Sequence, residues 1–283
     1  MALEIHPYGR VGAEIVGVDL ARLDNADLAQ IRAAFAEHGV VFFRDQTIDE
    51  EAQIAFARAL GPININRFFA AHPHYPEIAL VIKEPHQTAN IGGGWHTDHS
   101  YDAEPALGSV LVARELPASG GGATAFASMY AAYDALPDDL RAQIEGAKAV
   151  HSARHVFGSA ANAYEANRET RKDGRIGNAS AADVLEDVVH PVVITHPLSG
   201  KRALYVNPGF TIGIVGLEQE ESQALLHALY AHALDPRFQE VFHWQPGSVA
   251  LWDNRATWHY AHNDYHGERR EMHRITIEGE ALN

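Results

Sequence analysis

Hydrophobic and polar positions alternate in short blocks along the whole chain. Apolar residues recur at helical spacing between Leu28 and Phe35 and predict a helix that ends at Gly39. The next four residues, 40–43, are all apolar and predict a short buried strand. A capping-box pattern at 47–50 then opens a second predicted helix. The N-terminal part of the chain therefore predicts a scaffold of strands and packed helices.

Further along, many short apolar stretches are bounded by turn residues, which is typical of strands. A helix pair is predicted over 128–148 and an amphipathic helix over 217–234. The predicted strands are residues 12–20, 40–43, 108–115, 123–127, 150–157, 188–196, 202–207, 247–252 and 274–278. Many short strands with few helices favour a sheet sandwich or barrel over a doubly wound α/β fold. We predict a mainly β fold with flanking helices, in one domain that spans residues 1–283.

One long stretch, at about 158–186, lacks this organisation. It is polar and interrupted by glycine, and it shows little periodicity. A stretch of this length inside a compact domain is typically a lid over a site or a disordered insertion. We predict a lid.

Composition excludes several classes of function. The formal charge of −15 argues against a nucleic-acid partner, since phosphate binding needs a basic surface. An anionic substrate would have to be bound by a few placed arginines, because the overall field repels it. No apolar run reaches the length of about 18 residues that a membrane span needs, and no signal peptide is visible. The absence of cysteine excludes disulfides and is compatible with the cytoplasmic location that we expect.

Candidate chemistry centres on His96 and Asp98. On a β-strand, alternate residues point to the same face, so these two side chains are predicted to project together. A second imidazole, His259, on a later strand could complete a set of three ligands. Two histidines and one carboxylate on one face of a metal are typical of non-haem Fe(II) oxygenases.

Spacing alone leaves an alternative open. The chain has 18 histidines, so a His-x-Asp pattern is expected by chance, and satisfied structural histidines would explain it equally well. Two similar patterns occur at 262–264 and 266–268, but only His273 lies downstream of them as a third ligand. We interpret those two as solvated loop residues.

Motifs along almost the whole chain, taken in order, strengthen the first interpretation. They are Trp95-His-Thr-Asp98, Glu115-Leu-Pro117 with the following glycines and Thr124, Thr195-His-Pro197 with Ser199-Gly-Lys201, Tyr205-Val-Asn207, Trp252-Asp-Asn254, Asn263-Asp-Tyr265 and Met272-His-Arg274. In these motifs the chain resembles the taurine dioxygenase family, Fe(II)/2-oxoglutarate dioxygenases that also include chlorophenoxy-herbicide dioxygenases and alkylsulfatases. The resemblance implies a double-stranded β-helix, a jelly-roll core with helices packed outside.

The resemblance also implies roles for single residues. His96, Asp98 and His259 match the iron ligands of the family. Arg270 matches the arginine that binds the distal carboxylate of 2-oxoglutarate, and Thr124 matches the hydroxyl that supports the same carboxylate. The chemistry agrees, because a planar guanidinium holds a carboxylate through two parallel hydrogen bonds.

Arg269 competes with Arg270 for the cosubstrate role. Neighbours on a strand face opposite sides, so only one of the pair can point inward. Arg274, four residues beyond Arg270, is predicted on the same face, and it matches the family arginine that binds the anionic group of the substrate. Phe157 and Phe210 match aromatic residues that pack on the substrate, although ordinary core packing would also explain both.

Some positions depart from the taurine enzymes. Asn64 stands where those enzymes have a histidine that contacts the sulfonate, and His99 and Tyr101 follow Asp98 where they carry apolar or aromatic residues. These three residues are predicted to line the substrate site and to change its specificity.

The resemblance implies oxidation by O₂ of a small anionic organic substrate, with release of succinate and CO₂. The candidate substrates are a sulfonate such as taurine, a sulfate ester, and an aryloxy or alkyl carboxylate. Asp98 favours hydroxylation, since related halogenases lack this carboxylate. We also expect a homo-oligomer, a dimer or a tetramer. Two alternatives remain: a non-catalytic jelly-roll protein that binds a metal or an anion, and a zinc hydrolase that uses the same three ligands.

Overall fold

The computed structural model of the protein describes residues 3–159 and 165–282. The strands are β1 (Glu4–Pro7), β2 (Ala13–Val16), β3 (Val40–Phe43), β4 (Ile63–Asn64), β5 (Ala79–Lys83), β6 (Gly108–Glu115), β7 (Thr124–Ser128), β8 (Lys148–His151), β9 (Val188–Pro191), β10 (Val193–Thr195), β11 (Arg202–Leu204), β12 (Thr211–Ile214), β13 (Gln239–Phe242), β14 (Val249–Asp253), β15 (Thr257–Ala261) and β16 (Arg270–Ile277). The α-helices are α1 (Asn25–His38), α2 (Glu50–Leu60), α3 (Met129–Asp134), α4 (Asp138–Ile144), α5 (Arg154–Phe157), α6 (Glu165–Lys172), α7 (Ala179–Asp183) and α8 (Gln219–Ala233).

Two facing sheets form the centre of the fold. The larger sheet has the order β1-β2-β3-β14-β6-β16-β4, with β5 also paired to β16, and the smaller has the order β13-β7-β15. Side chains from both sheets fill the space between them, among them Phe42, Trp252 and Met272 from the larger sheet and Phe126 and Phe242 from the smaller. The predicted mainly β class, a jelly roll with flanking helices, is confirmed, although the sheets are not closed into a barrel.

Helices cover the outer faces of the two sheets. Phe35 of α1 and Phe56 of α2 pack with Val110 and Ile275 on the outside of the larger sheet. On the far side, α3 and α8 pack against the outer face of the smaller sheet around Trp258. The outer faces of both sheets are thus covered by helices. In the described part of the chain, every helix is too short or too polar to cross a membrane.

Helix ends show where local sequence rules worked and where they failed. Helix α1 ends as predicted at Gly39, whose φ of 73° lies in the left-handed region that glycine tolerates. Helix α2 begins later than the capping box predicts, because the carboxylate of Asp49 rather than Thr47 accepts the backbone N–H of Ala52. The predicted helix pair at 128–148 is confirmed as α3 and α4.

Several strand predictions were wrong in extent or missed a strand. The predicted strand at 150–157 ends at His151 as β8, and the short helix α5 follows it. The predicted strand at 188–196 is divided into β9 and β10, and β1, β4, β5, β12 and β13 were not predicted. Strand β5 lies in a proline-interrupted stretch, between a turn at Pro76 and another at Pro85. It forms because β16 supplies a hydrogen-bonding partner for all five of its residues.

The stretch predicted as a lid, 158–186, contains helices α6 and α7, and its residues 160–164 lie outside the described residues. Polar contacts fasten it to a loop that precedes His96. The Glu169 carboxylate accepts the backbone N–H groups of Thr88 (2.8 Å) and Ala89 (3.1 Å). Arg175, only 7% exposed, donates to the Ala89 carbonyl oxygen at 2.7 Å. These contacts hold the described part of the stretch against this loop, while its role as a lid stays a prediction.

Candidate metal and cosubstrate site

Backbone pairing brings His96, Asp98 and His259 together. His259 lies in the middle of β15, and His96 forms an isolated antiparallel bridge to it through two backbone hydrogen bonds of 2.8 and 3.2 Å. Asp98 lies two residues beyond His96 and does not continue a strand as predicted, because a turn begins at Asp98. The bridge and the turn, rather than strand alternation, point both side chains of the His-x-Asp motif inward.

The three side chains form a compact donor set. One ligand atom from each lies within 4.8 Å of the others. The two Asp98 carboxylate oxygens lie 3.7 Å from His96 Nε2 and His259 Nε2, respectively. His96 Nδ1 donates to the Gly94 carbonyl oxygen at 2.7 Å, so its Nε2 carries the lone pair that a metal needs. Two neutral imidazoles and one carboxylate fit a divalent metal ion.

Charge and burial keep these groups in the ligating form. Burial raises the pKa of Asp98, but the charge of Arg274 lowers it well below its usual range. Burial lowers the pKa of His259 to about 3. The carboxylate is therefore ionised and the His259 imidazole neutral at physiological pH, as metal binding requires.

A second cluster of potential ligands is less suited to a metal. Glu50, His72 and His273 also place ligand atoms within 4.8 Å of one another. However, the Arg114 guanidinium donates to His273 Nδ1 at 3.1 Å and lies 3.5 Å from the Glu50 carboxylate. A cation already occupies this cluster, so we interpret it as an ion-pair network on the outer side of β16.

Strand β16 also buries an arginine, Arg270, that forms no ion pair with a carboxylate among the described residues. Arg270 is 4% exposed, and its Nε and Nη2 have no hydrogen-bond partner among the described residues. Burial lowers the pKa of this guanidinium. The neighbouring Arg269 instead lies on the other side of the strand, where it pairs with Glu84, Glu115 and Glu271. Strand alternation thus resolves the competition between the two arginines, and Arg270 is the one that faces inward.

Thr124, Trp244 and Gly122 lie around the Arg270 side chain. Thr124, at the start of β7, is 4% exposed, and its hydroxyl accepts the Trp244 indole N–H at 3.0 Å. Gly122 has a φ of 78°, and a Cβ on this residue would come within 2.8 Å of Arg270 Cδ. The arginine reaches the interior only because residue 122 has no side chain. Neither Trp244 nor Gly122 was identified from the sequence, although the glycine run 120–122 was a usable signal.

On the same inner face of β16, Arg274 contacts the metal-type cluster itself. Its Nη1 lies 3.2 and 3.3 Å from the two oxygens of Asp98. The guanidinium carbon lies 4.4 Å from the centre of the Phe69 ring, in a cation–π contact. The Nε of Arg274 has no hydrogen-bond partner within the described residues.

Aromatic side chains form a wall beside Arg274 and His96. Phe210 lies 4.7 Å from Tyr101 and 6.3 Å from His96, measured between ring centres. Phe157 stacks on Phe68 at 4.3 Å and packs against the same Tyr101 ring. Three of the residues predicted at the substrate site, Tyr101, Phe157 and Phe210, thus lie together.

The other two predicted substrate residues, His99 and Asn64, are placed differently. His99 is 1% exposed, and its Nδ1 lies 2.8 Å from the Asp102 carboxylate, which Arg67 also binds. Asn64 lies on β4 opposite Thr276 of β16, and its side-chain oxygen is buried without a partner among the described residues. His99 is thus engaged in an ion-pair group, and Asn64 stands at the edge of the inner face.

The buried side-chain amide of Asn207, which was not predicted as a site residue, links two parts of the site. Asn207 is fully buried, and its side chain donates to the Ser100 hydroxyl at 2.9 Å and accepts the backbone N–H of Phe210 at 2.9 Å. It therefore joins the turn that carries Asp98 to the aromatic wall. The Tyr205-Val-Asn207 motif was the sequence signal, but its contacts could not be inferred from the motif alone.

Comparisons with known proteins agree with this geometry. Residues 4–276 match the family model described as "Taurine catabolism dioxygenase TauD, TfdA family". An alpha-ketoglutarate-dependent sulfate ester dioxygenase of Pseudomonas putida is 36% identical, over 99% of this chain and 91% of the relative. The (S)-phenoxypropionate/alpha-ketoglutarate-dioxygenase of Sphingobium herbicidovorans is 34% identical, over 92% of this chain and 89% of the relative. The crystal structure of a taurine dioxygenase from Burkholderia xenovorans is 34% identical and superposes with a TM-score of 0.80, covering 100% of this chain and 91% of that one.

Proposed function

The chain belongs to the taurine catabolism dioxygenase TauD, TfdA family, and from this membership we propose that it uses Fe(II) to hydroxylate a small anionic substrate with an apolar body. It is a 2-oxoglutarate-dependent dioxygenase, as its relatives are. The observation that carries the proposal is that the cluster of His96, Asp98 and His259 lies on the same inner face of β16 as Arg270, whose guanidinium has no carboxylate partner among the described residues.

We assign His96, Asp98 and His259 as the protein ligands of Fe(II). Three such ligands leave half of an octahedral shell open for the cosubstrate and O₂. When bound, the iron supplies the activation of O₂ that couples decarboxylation of 2-oxoglutarate to oxidation of a substrate C–H bond. The protein's own contribution is to hold the ligands deprotonated, to orient the reactants and to exclude water.

Arg270 and Thr124 are proposed to hold the distal carboxylate of 2-oxoglutarate. The unpartnered Nε and Nη2 of Arg270 are two donors on one edge of a guanidinium, which match the two oxygens of a carboxylate. A buried cation without an acid is costly, and an incoming carboxylate would remove that cost. A zinc hydrolase does not use 2-oxoglutarate and would leave Arg270 and Thr124 without a role, which favours the dioxygenase.

Arg274 is proposed to bind the anionic group of the substrate, and Tyr101, Phe157 and Phe210 to contact its apolar body. Asp98 and Asp102, the carboxylates beside this wall, are both paired with arginines. Neither is free to receive the ammonium group of taurine. We therefore favour a sulfate ester or an aryloxy carboxylate over taurine, in keeping with the substrates in the names of two relatives.

The experiment is a substrate screen that measures succinate formed per 2-oxoglutarate consumed. We expect coupled turnover with alkyl sulfates or aryloxypropionates and at least tenfold lower efficiency with taurine. His96→Ala is the matched control and should abolish succinate formation with every substrate. Succinate formation that persists in His96→Ala, or preference for taurine, would contradict the assignment.

The remaining expectations concern the assembly of the site. We propose that residues 1–283 form one domain and that the stretch 158–186 acts as a lid. The contacts of Glu169 and Arg175 with the loop at 88–89 support this, since they fasten the stretch beside the proposed cosubstrate pocket. A homo-oligomeric state and a cytoplasmic location stay predictions.

A further inference from the structure

Lys83 is a second buried cation on the strand pair that carries Arg270. It ends β5 and stands directly opposite Arg270 in the antiparallel register with β16. Directly opposed residues project to the same face of a sheet, so both side chains point into the interior. Only 2% of Lys83 and 4% of Arg270 is exposed.

Lys83 has few partners for a buried ammonium group. It donates to the Asn263 side-chain oxygen at 2.8 Å and lies 4.3 Å from the centre of the Tyr265 ring. Tyr265 in turn lies beside Arg270, since both side chains come within 3.2 Å of a Cβ built on Gly122. The ion pairs that the described residues form along β16 use Arg269, Glu271, His273 and Arg274, and include neither of the two buried cations.

Burial explains why this arrangement is costly for the empty protein. It lowers the pKa of Lys83, and the charge of Arg175 lowers it further, while the charges of Glu169 and Asp264 raise it. Like charges at directly opposed positions of a sheet are destabilising. A bound carboxylate would offset both the burial and the like charge. The fold therefore keeps two buried cations at opposed positions, and neither forms an ion pair with a carboxylate among the described residues.

We infer that Lys83 is a specificity-determining residue of the cosubstrate pocket, which selects a keto acid that carries a second, distal carboxylate. Its charge acts on that carboxylate across the interior it shares with Arg270, and its contact with the Tyr265 ring holds that side chain beside Arg270. The inference rests on the proposed function, since it assumes that the ligand beside Arg270 is 2-oxoglutarate.

The test compares two keto acids that differ only in the distal carboxylate end. The protein is loaded with Mn(II), which prevents turnover, and the dissociation constants of 2-oxoglutarate and 2-oxobutanoate are measured by calorimetry. Lys83→Met should weaken 2-oxoglutarate binding about tenfold, the scale of one charge-assisted contact, and leave 2-oxobutanoate binding within about twofold. Lys148→Met, which removes an exposed lysine from β8, is the matched control and should change neither constant.

The other possible results of this binding experiment each have a defined meaning. Equal weakening of both keto acids would mean that Lys83 only supports Tyr265 and Asn263, and would overturn the inference, as would unchanged binding of 2-oxoglutarate. Should Lys83→Met not fold, Lys83→Gln retains a donor to Asn263 without the charge and is measured in its place. Failure of the unsubstituted protein to bind 2-oxoglutarate would instead refute the proposed function.

Discussion

The Arg274 guanidinium donates to both oxygens of the Asp98 carboxylate, at 3.2 and 3.3 Å, in a buried ion pair. Arg274, which is proposed to bind the substrate, and Asp98, which is proposed to bind the metal, are thus in direct contact. In the absence of a metal, the charge of Arg274 stabilises the ionised form of Asp98, which burial alone would disfavour. Substrate and metal would therefore each bind one member of the same ion pair, which makes binding of the one sensitive to the other.

Arg274→Met should separate substrate binding from cosubstrate binding. We expect KM for an anionic substrate to rise at least tenfold, since a charge-assisted contact of about 1.5–3 kcal/mol is lost. The dissociation constant of 2-oxoglutarate should stay within about twofold, because Arg270 is untouched. Steady-state kinetics and calorimetry measure the two quantities. An unchanged KM would remove Arg274 from the substrate site.

Arg270→Met and Arg269→Met form a matched pair of neighbouring substitutions. The first should weaken 2-oxoglutarate binding about a hundredfold or more, because it removes a buried charge that pairs with a carboxylate. The second removes partly exposed ion pairs and should cost less than about 1 kcal/mol of stability, with little effect on binding. Calorimetry and urea unfolding are the measurements. Similar effects of the two substitutions on binding would contradict the inward assignment of Arg270.

Gly209→Ala should damage the metal site without touching a ligand. A Cβ on residue 209 would lie 2.6 Å from the Cβ of His96, so the imidazole would have to move. We expect Mn(II) affinity to fall at least fivefold, measured by equilibrium titration. Gly177→Ala, where a Cβ meets no atom within 4 Å, is the control and should leave the affinity unchanged. Equal affinities in the two variants would show that His96 does not bind the metal.

The stability of the metal-free protein should fall in mild acid because of His151. Burial lowers the pKa of this imidazole to about 3, against its ordinary value of about 6.5. Below pH 6.5 the unfolded chain therefore binds a proton that the folded chain does not, and stability is lost as the pH falls towards 3. From pH 7 to pH 5 this one group costs about 2 kcal/mol. Urea unfolding should show a flatter pH dependence for His151→Gln, and an identical dependence would refute His151 as the source of the acid sensitivity.

Much of the site could be predicted because local rules carry it. Strand alternation was enough to place Arg270 and Arg274 on one face and Arg269 on the other, as β16 shows. The ordered motifs, not spacing alone, singled out His96, Asp98 and His259 among 18 histidines. Periodicity along a strand predicts which way a side chain faces, and ordered motifs predict which residues belong to the site.

The parts that could not be predicted depend on partners distant in the chain. Strand β5 is a short segment between two prolines, Pro76 and Pro85, and it forms because β16 pairs with it. Asp98 points inward from a turn that Asn207 holds through Ser100, a contact between residues about a hundred positions apart. The position of Trp244 beside Thr124 depends likewise on the pairing of β13 with β7. None of these contacts has a local signature.

The most direct test of the central claim is an anaerobic titration of the protein with Fe(II) and 2-oxoglutarate, followed by visible absorption. We predict a metal-to-ligand charge-transfer band that saturates at one iron per chain and shifts when an anionic substrate is added. The band should be absent in Asp98→Ala. Absence of the band in the unsubstituted protein, or an undiminished band in Asp98→Ala, would contradict an iron centre formed by His96, Asp98 and His259.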